Sequence, residues 1–238
     1  LKIAILDTVP EEFWHHDNGI TDGEKFVYML SPWLPDVDLA VYYVAESQFP
    51  SQEEKFDGYL ITGSPISVND DFGWISQLKD LVRQLSARQK KIAGFCFGHQ
   101  LIASALGGEV ADNENGWHIG LFDVHIEKLQ SWMHPAQLST SLYHFNKERV
   151  VILPADAEPY ARSDQYPNLG FTAGNHIMAI QGHPEQSLRA MHNFLKATEG
   201  MVPENVAQQA MASMESAHPD AALWGRWIAG FYQGQNIG

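Results

Sequence analysis

Short apolar runs recur along the first part of the chain and alternate with amphipathic stretches. Leu1 to Leu6 ends in Asp7, Leu39 to Val44 is β-branched and aromatic, and Tyr59 to Thr62 and Ile92 to Phe95 are short and apolar. Runs of this length, closed by turn residues, predict buried strands. Between them, Glu24 to Leu30 has helical composition and stops at Ser31-Pro32. Trp74 to Leu85 places Ile75, Leu78, Leu81, Val82 and Leu85 on one helical face. Thr8 to Gly23, rich in Pro, His, Asp and Gly, reads as a loop. Strands alternating with helices predict a parallel sheet covered on both faces.

Beyond Gly107-Gly108, a helix-terminating pair, the pattern changes. Glu109 to Ala111 opens an irregular region, Asn113 to Gly120 reads as a polar loop holding Trp117 and His118, and Leu121 to Glu127 alternates like a strand. Val150 to Leu153, Tyr160 to Ser163, Phe171 to Ala173 and His176 to Gln181 predict a run of antiparallel strands. Ser187 to Thr198, Pro203 to Ser216 and Ala221 to Phe231 predict helices. The fold class expected is therefore α/β, in three layers, with a mostly parallel central sheet and helices on both faces. One domain over 1–200 carries a helical extension, 201–238, packed on the same domain.

The chemistry is concentrated at Lys91 to Gln100, K-I-A-G-F-C-F-G-H-Q. A strand runs into Gly94-Phe95-Cys96-Phe97-Gly98, and an Ala-containing apolar run, Leu101 to Leu106, follows with helical spacing. Strand, Gly-x-Cys-x-Gly, helix is the arrangement of a nucleophile elbow. Glycines on either side let strand and helix pass closely, so the thiol projects into the cleft at the sheet's carboxyl edge. The following helix aims its first N–H groups at the sulfur, and the Phe97 N–H is placed to bind an oxyanion. A lone cysteine is more often a small buried hydrophobe, so the assignment needs partners. Gly63, in the turn after the third strand, opens into the same cleft and offers a second oxyanion donor. Gly182-His183-Pro184-Glu185 leaves the last strand just before a helix. His183 can take the thiol proton and return one to a leaving amine, while Glu185 orients the imidazole.

Composition narrows the setting. Acidic residues outnumber basic ones 29 to 15, a net charge of −14. That balance argues against binding nucleic acid or an anionic membrane. No apolar run approaches the ~20 residues of a membrane-spanning helix, and the N-terminal stretch does not read as a signal peptide. One cysteine forms no intrachain disulfide and suits a reducing cytoplasm. The 11 histidines show no metal-ligand spacing such as H-E-x-x-H, so neither a metal nor another cofactor is expected.

Taken together, Gly94 to Gln100, the Gly63-Ser64-Pro65 turn and Gln181 to Glu185 resemble the triad-type class I glutamine amidotransferases, whose motifs read G-x-C-x-G-x-Q and Q-x-H-P-E. The resemblance covers roughly residues 1–198. It implies a flavodoxin-like fold, a Cys96–His183–Glu185 triad, and an oxyanion hole from the Gly63 and Phe97 N–H groups. It also implies that Gln100 contacts bound glutamine, and that His144 and Phe145, in Tyr143-His144-Phe145-Asn146, line the site for its α-amino and α-carboxyl groups. Two positions depart from the family's pattern. Gly182 stands where relatives often carry an aromatic residue, which predicts a wider cleft beside His183. Asn146 stands where an acidic residue is usual, which leaves the α-substituent site and the substrate open.

The stretch after Gly200, about 40 residues, is too short for an ATP-using acceptor module, so a free-standing member is expected. The activity implied is hydrolysis of the γ-amide of glutamine, or of a related γ-glutamyl bond, through a γ-glutamyl thioester. Ammonia then passes to a separate synthetase subunit, or the protein hydrolyses γ-glutamyl peptides and conjugates with no acceptor. A non-catalytic binding protein on the same fold is the third reading. A cysteine esterase shares the elbow but leaves H-P-E and Gln100 unexplained.

Overall fold

The order of elements is β1 (Lys2–Asp7), α1 (Asp22–Leu30), β2 (Asp38–Tyr43), β3 (Gly58–Ile61), α2 (Gly73–Ala87), β4 (Lys91–Phe95) and α3 (Phe97–Ala105). Next come β5 (Glu109–Asp112), β6 (His118–Ile126), β7 (Ser139–Asn146), β8 (Glu148–Ile152), β9 (Ala157–Arg162), β10 (Gly170–Ala173) and β11 (Ile177–Ile180). The chain closes with α4 (Leu188–Ala197), α5 (Glu204–Ser216) and α6 (Ala221–Gln233). The computed structural model describes residues 1–17, 19–51 and 55–234. The last four positions of the extension read at 201–238 lie outside them.

Among the described residues the main sheet has nine strands in the order β2-β1-β3-β4-β11-β10-β9-β6-β7. From β2 to β11 neighbouring strands are parallel; from β11 to β7 they are antiparallel. The parallel half alternates cleanly between two cores. Ile3, Ile5, Leu60, Ala93, Phe95, Met178 and Ile180 face one way, against Phe26 and Leu30 of α1 and Trp224, Trp227, Ile228 and Phe231 of α6. Ala4, Leu6, Tyr59, Ile61, Ile92 and Ala179 face the other way, against α2 and α3. A side-chain period of two, apolar on both faces, is what a buried parallel sheet requires. All five residues assigned to one face of α2 are buried in that second core.

Several local readings change. The segment read as a loop from Thr8 contains a 3-10 helix at Glu11–Asp17. α1 starts at Asp22, earlier than Glu24, because Thr21 and Glu24 form a reciprocal cap: each backbone N–H donates to the other's side chain, at 2.9 and 3.3 Å. The irregular region at Glu109 is a strand, β5. It pairs with β8 in a separate two-stranded sheet, so β8 does not join the antiparallel run. β11, expected in that run, is antiparallel to β10 but parallel to β4, and so joins the two halves of the sheet. β7 was not anticipated as a strand. It opens on Ser139-Thr140-Ser141, and the polar groups of Thr140 and Ser141 are used in tertiary contacts. Thr140 Oγ1 and the Ser141 N–H both donate to Asp220 Oδ2, at 2.9 and 2.8 Å, where α6 begins.

The last helix belongs to the core. Trp224 and Trp227 are fully buried, and Tyr232 donates its hydroxyl to the Tyr59 carbonyl oxygen at 2.6 Å. Among the described residues, no helix is long and apolar enough to cross a membrane. Trp224→Ala is expected to lower unfolding free energy by about 3–5 kcal/mol, the usual cost of deleting a buried tryptophan. Urea denaturation measures it, and a midpoint equal to the parent's would mean that α6 does not stabilise the sheet.

Candidate active site

β4 carries Cys96 to the carboxyl edge of the sheet, where the chain turns into α3 at φ 50° and ψ −104°. A non-glycine residue avoids that region unless its surroundings hold it there. Two hydrogen bonds do so. The Cys96 N–H donates to the Ile180 carbonyl oxygen of β11 at 3.0 Å, and the Gly98 N–H donates to Thr62 O, beyond β3, at 3.0 Å. The flanking glycines are a packing requirement. A Cβ on Gly98 would strike the Ile61 carbonyl oxygen, and one on Gly94 would lie 2.6 Å from Gly98 O.

His183 leaves β11 and is held by a backbone hydrogen bond from its N–H to Tyr143 O of β7, at 2.8 Å. Its Nδ1 lies 2.8 Å from Glu185 Oε1, and the Glu185 side chain is fully buried. Burial alone would push the imidazole's pKa down. The Cys96 sulfur and the Glu185 carboxylate outweigh it and raise the value well above 6.5. Their attraction therefore contributes fully to stability below the unfolded value of about 6.5. That contribution is lost as pH rises through the folded value.

The Gly63 turn presses against the pair. A Cβ at Gly63 would sit 2.7 Å from His183 Cε1 and 3.6 Å from Cys96 Cβ. Thr8, at the end of neighbouring β1, clamps this turn. Its hydroxyl donates to Gly63 O at 2.7 Å, its N–H donates to Thr62 Oγ1 at 2.9 Å, and its carbonyl accepts from Ser64 Oγ at 2.6 Å. Thr8 was not singled out from sequence, although it follows β1 as Thr62 follows β3. Parallel neighbours bring such positions together at one sheet edge. Behind Glu185 lies a second unanticipated group. Gln186 Nε2 donates to Glu185 Oε1 at 3.1 Å and Asp22 Oδ1 at 3.0 Å, while Lys25 Nζ donates to Asp22 Oδ1 at 2.9 Å and Gln186 Oε1 at 3.0 Å.

Cys96, His183 and Gln100 open onto a cavity of ≈ 600 Å³. Its walls include Phe13, Trp14, Trp117, Phe145 and Phe194, with Lys25, Asp112, Asn146, Lys147 and Glu148 among the polar ones. Phe145 reaches the cavity. His144 does not line it: it is fully buried, and its pKa is driven well below 6.5 by burial and by His118, His183 and His99. Successive residues of a strand point to opposite faces, and the His144 side of β7 is turned into the packed interior, against the rings of His118 and Phe122. Gly182 does not widen the cleft either. A Cβ there would lie 2.6 Å from Leu142 Cδ1, inside the packed core. His99, next to Gln100, is buried against the Phe171 ring, and burial pushes its pKa down to about 3. Among the described residues, no group of three or more His, Cys, Asp or Glu is arranged to hold a metal ion.

The glutamine amidotransferase class-I family model matches residues 23–199. "Gamma-glutamyl peptidase 3" of Arabidopsis thaliana is 31% identical over 204 residues, covering 82% of each chain. One subunit of the glutamine-hydrolyzing GMP synthase of Sulfolobus acidocaldarius is 25% identical over 180 residues, covering 73% of this chain and 94% of that one. The crystal structure of a glutamine amidotransferase from Thermotoga maritima superposes with a TM-score of 0.78 at 14% identity, covering 100% of this chain and 99% of that one. At that identity the likeness is one of fold.

The charge on His183 can be read directly. In an NMR titration its Cε1–H is expected to stay at the protonated shift through neutral pH. Glu185→Gln and Cys96→Ala should each move the midpoint down, since each removes a group that raises it. A midpoint unmoved in both variants would mean that neither group sets the imidazole's charge.

Proposed function

This chain belongs to the glutamine amidotransferase class-I family, and we propose that it hydrolyses γ-glutamyl peptides or conjugates with Cys96 as nucleophile. The observation that carries the proposal is the strained Cys96 beside a buried His183–Glu185 pair, lining a cavity larger than free glutamine fills. A volume of ≈ 600 Å³ falls within the range of about 300–1,000 Å³ that holds drug-sized ligands. The aromatic walls suit a leaving group with apolar surface. Sequence alone put glutamine first. The cavity, and the peptidase name of a relative 31% identical, favour the larger substrate.

The geometry supports acyl transfer through the sulfur. Glu185 accepts from Nδ1–H of His183, which leaves Nε2 for the sulfur. The Cys96 thiolate attacks the γ-carbonyl and forms a C–S bond. The tetrahedral oxyanion is held by the N–H groups of Gly63 and Phe97. His183 protonates the departing amine as the C–N bond breaks, leaving a γ-glutamyl thioester. Neutral His183 then takes a proton from water, hydroxide adds to the thioester, and the C–S pair returns to sulfur as the γ-carboxylate leaves. Glu185 holds one ring orientation throughout and stabilises the imidazolium. No metal or cofactor takes part in these steps. A cytoplasmic, reducing setting keeps the single thiol available.

The test is a kinetic panel of γ-glutamyl dipeptides with aromatic, small and charged second residues, against free glutamine. The parent is expected to show highest kcat/KM on γ-glutamyl dipeptides with an apolar second residue, and Cys96→Ala to lose at least ~10³-fold. Equal rates for parent and Cys96→Ala would sink the mechanism. Glutamine as the best substrate, or turnover only with an added synthetase subunit, would replace the proposed substrate with glutamine and an ammonia acceptor. A folded parent that turns over nothing but binds γ-glutamyl compounds would make it a binding protein.

A further inference from the structure

The family resemblance gives Gln100 a ligand-binding role and leaves Gln181 with none. Their placement suggests a different division of labour. Gln181 follows β11, its N–H donates to Leu169 O at 2.9 Å, and its side chain is buried beneath Cys96. Its Nε2 lies 3.4 Å from Cys96 Sγ. Its Oε1 lies 3.1 Å from Gln100 Nε2, which also donates to the Glu148 carbonyl oxygen at 2.9 Å.

The orientation of this chain of amides is fixed by chemistry at its far end. A backbone carbonyl can only accept, so Gln100 must present its NH₂ group to Glu148 O. The same nitrogen then donates to the Gln181 amide, which must answer with its oxygen. Gln181 therefore presents its own NH₂ to the sulfur. Reversing either amide would set two oxygens, or two NH₂ groups, against each other in a buried site.

We propose that Gln181 is a catalytic donor to the Cys96 sulfur, and that Gln100 is the positioning residue that fixes its amide. The assignment rests on Cys96 being the nucleophile proposed above. A neutral amide N–H stabilises negative sulfur without being able to protonate it, and holds the sulfur in one rotamer. The bond is stronger to a thiolate than to a thioester sulfur. It therefore favours the step in which water's attack on the thioester returns the C–S electron pair to sulfur. Both Nε2 protons of Gln100 are already used, so only its Oε1 is left for a ligand.

The experiment reads the sulfur without any substrate. The chain has one cysteine, so the iodoacetamide alkylation rate of the intact protein, followed by mass spectrometry across pH, reports Cys96 alone. Gln181→Leu is expected to slow alkylation at neutral pH about 10- to 100-fold, the effect of losing one hydrogen bond to a charged group, and to move the pH profile upward. Gln181→Glu, which fills the same space but cannot donate when ionised, should shift it the same way. It serves if the leucine variant does not fold. Gln100→Leu should shift the profile less, and should lower kcat on a γ-glutamyl dipeptide with little change in KM.

Alkylation profiles identical to the parent's in folded Gln181 variants would overturn the donor role. A raised KM with unchanged kcat and unchanged alkylation in Gln100→Leu would return Gln100 to substrate binding. If the parent hydrolyses no γ-glutamyl compound while the profiles still shift, the proposed function falls and with it the catalytic role, while the Gln181 hydrogen bond to the sulfur stands.

Discussion

The close crossing of β3, β4 and α3 sets every other distance in the site. Gly98 passes so near Ile61 that no side chain fits, and its N–H reaches Thr62 O at 3.0 Å. One contact does two things. It fixes the first turn of α3, and so the φ 50° conformation of Cys96. It also fixes the start of the Gly63 turn, because Thr62 is the residue before it. A backbone strained in this way costs of order 1–3 kcal/mol, and two apolar cores on the faces of the sheet supply far more than that in burial. The strain persists because the turn is bonded to β3 on one side and β11 on the other.

Electrostatics then decides which protonation states the site can hold. His183 is buried, which by itself favours the neutral ring. Glu185 is fully buried beside it, and a buried carboxylate needs a partner. The two requirements are met together by an imidazolium between carboxylate and sulfur. Gln186, Asp22 and Lys25 continue the network to the wall of the cavity, so Glu185 is held by more than its histidine. α1 takes part because Asp7, at the end of β1, accepts from the Gly23 N–H at 2.8 Å; burial, then Asp22, raises the Asp7 pKa to about 6. The acidic edge of the site is thus tied to the same strand end that carries Thr8.

How much of this was readable from the chain depends on how local each signal is. The elbow is legible because glycine spacing, a strand pattern and a helix pattern fall within ten residues. The parallel half of the sheet is legible because its strands are apolar on both faces. β7 was hidden because Thr140 and Ser141 satisfy Asp220 and Trp224 some eighty residues away, and such pairings leave no periodic trace. The pairing of β5 with β8, instead of β8 with the antiparallel run, is likewise a choice between partners that each strand's own sequence fits. Gly182 misled for a related reason. A missing side chain in a motif suggests open space, but Leu142 fills that space from β7.

The division between chemistry and specificity follows from the same geometry. Cys96, Gly63, Thr8, Gln181 and His183 all lie at or just past the ends of adjacent strands, where backbone hydrogen bonds hold positions tightly. Apart from Phe145 on β7, the aromatic walls come from elsewhere: Phe13 and Trp14 from the 3-10 helix after β1, Trp117 from the segment before β6, and Phe194 from α4. These segments are free to differ between proteins that share the sheet, since nothing in the crossing of β3, β4 and α3 depends on them. A relative can therefore keep the cysteine, the histidine and the amide beneath them while accepting a different ligand. For that reason the walls, more than Cys96, His183 and Glu185, carry the information about which ligand the site accepts.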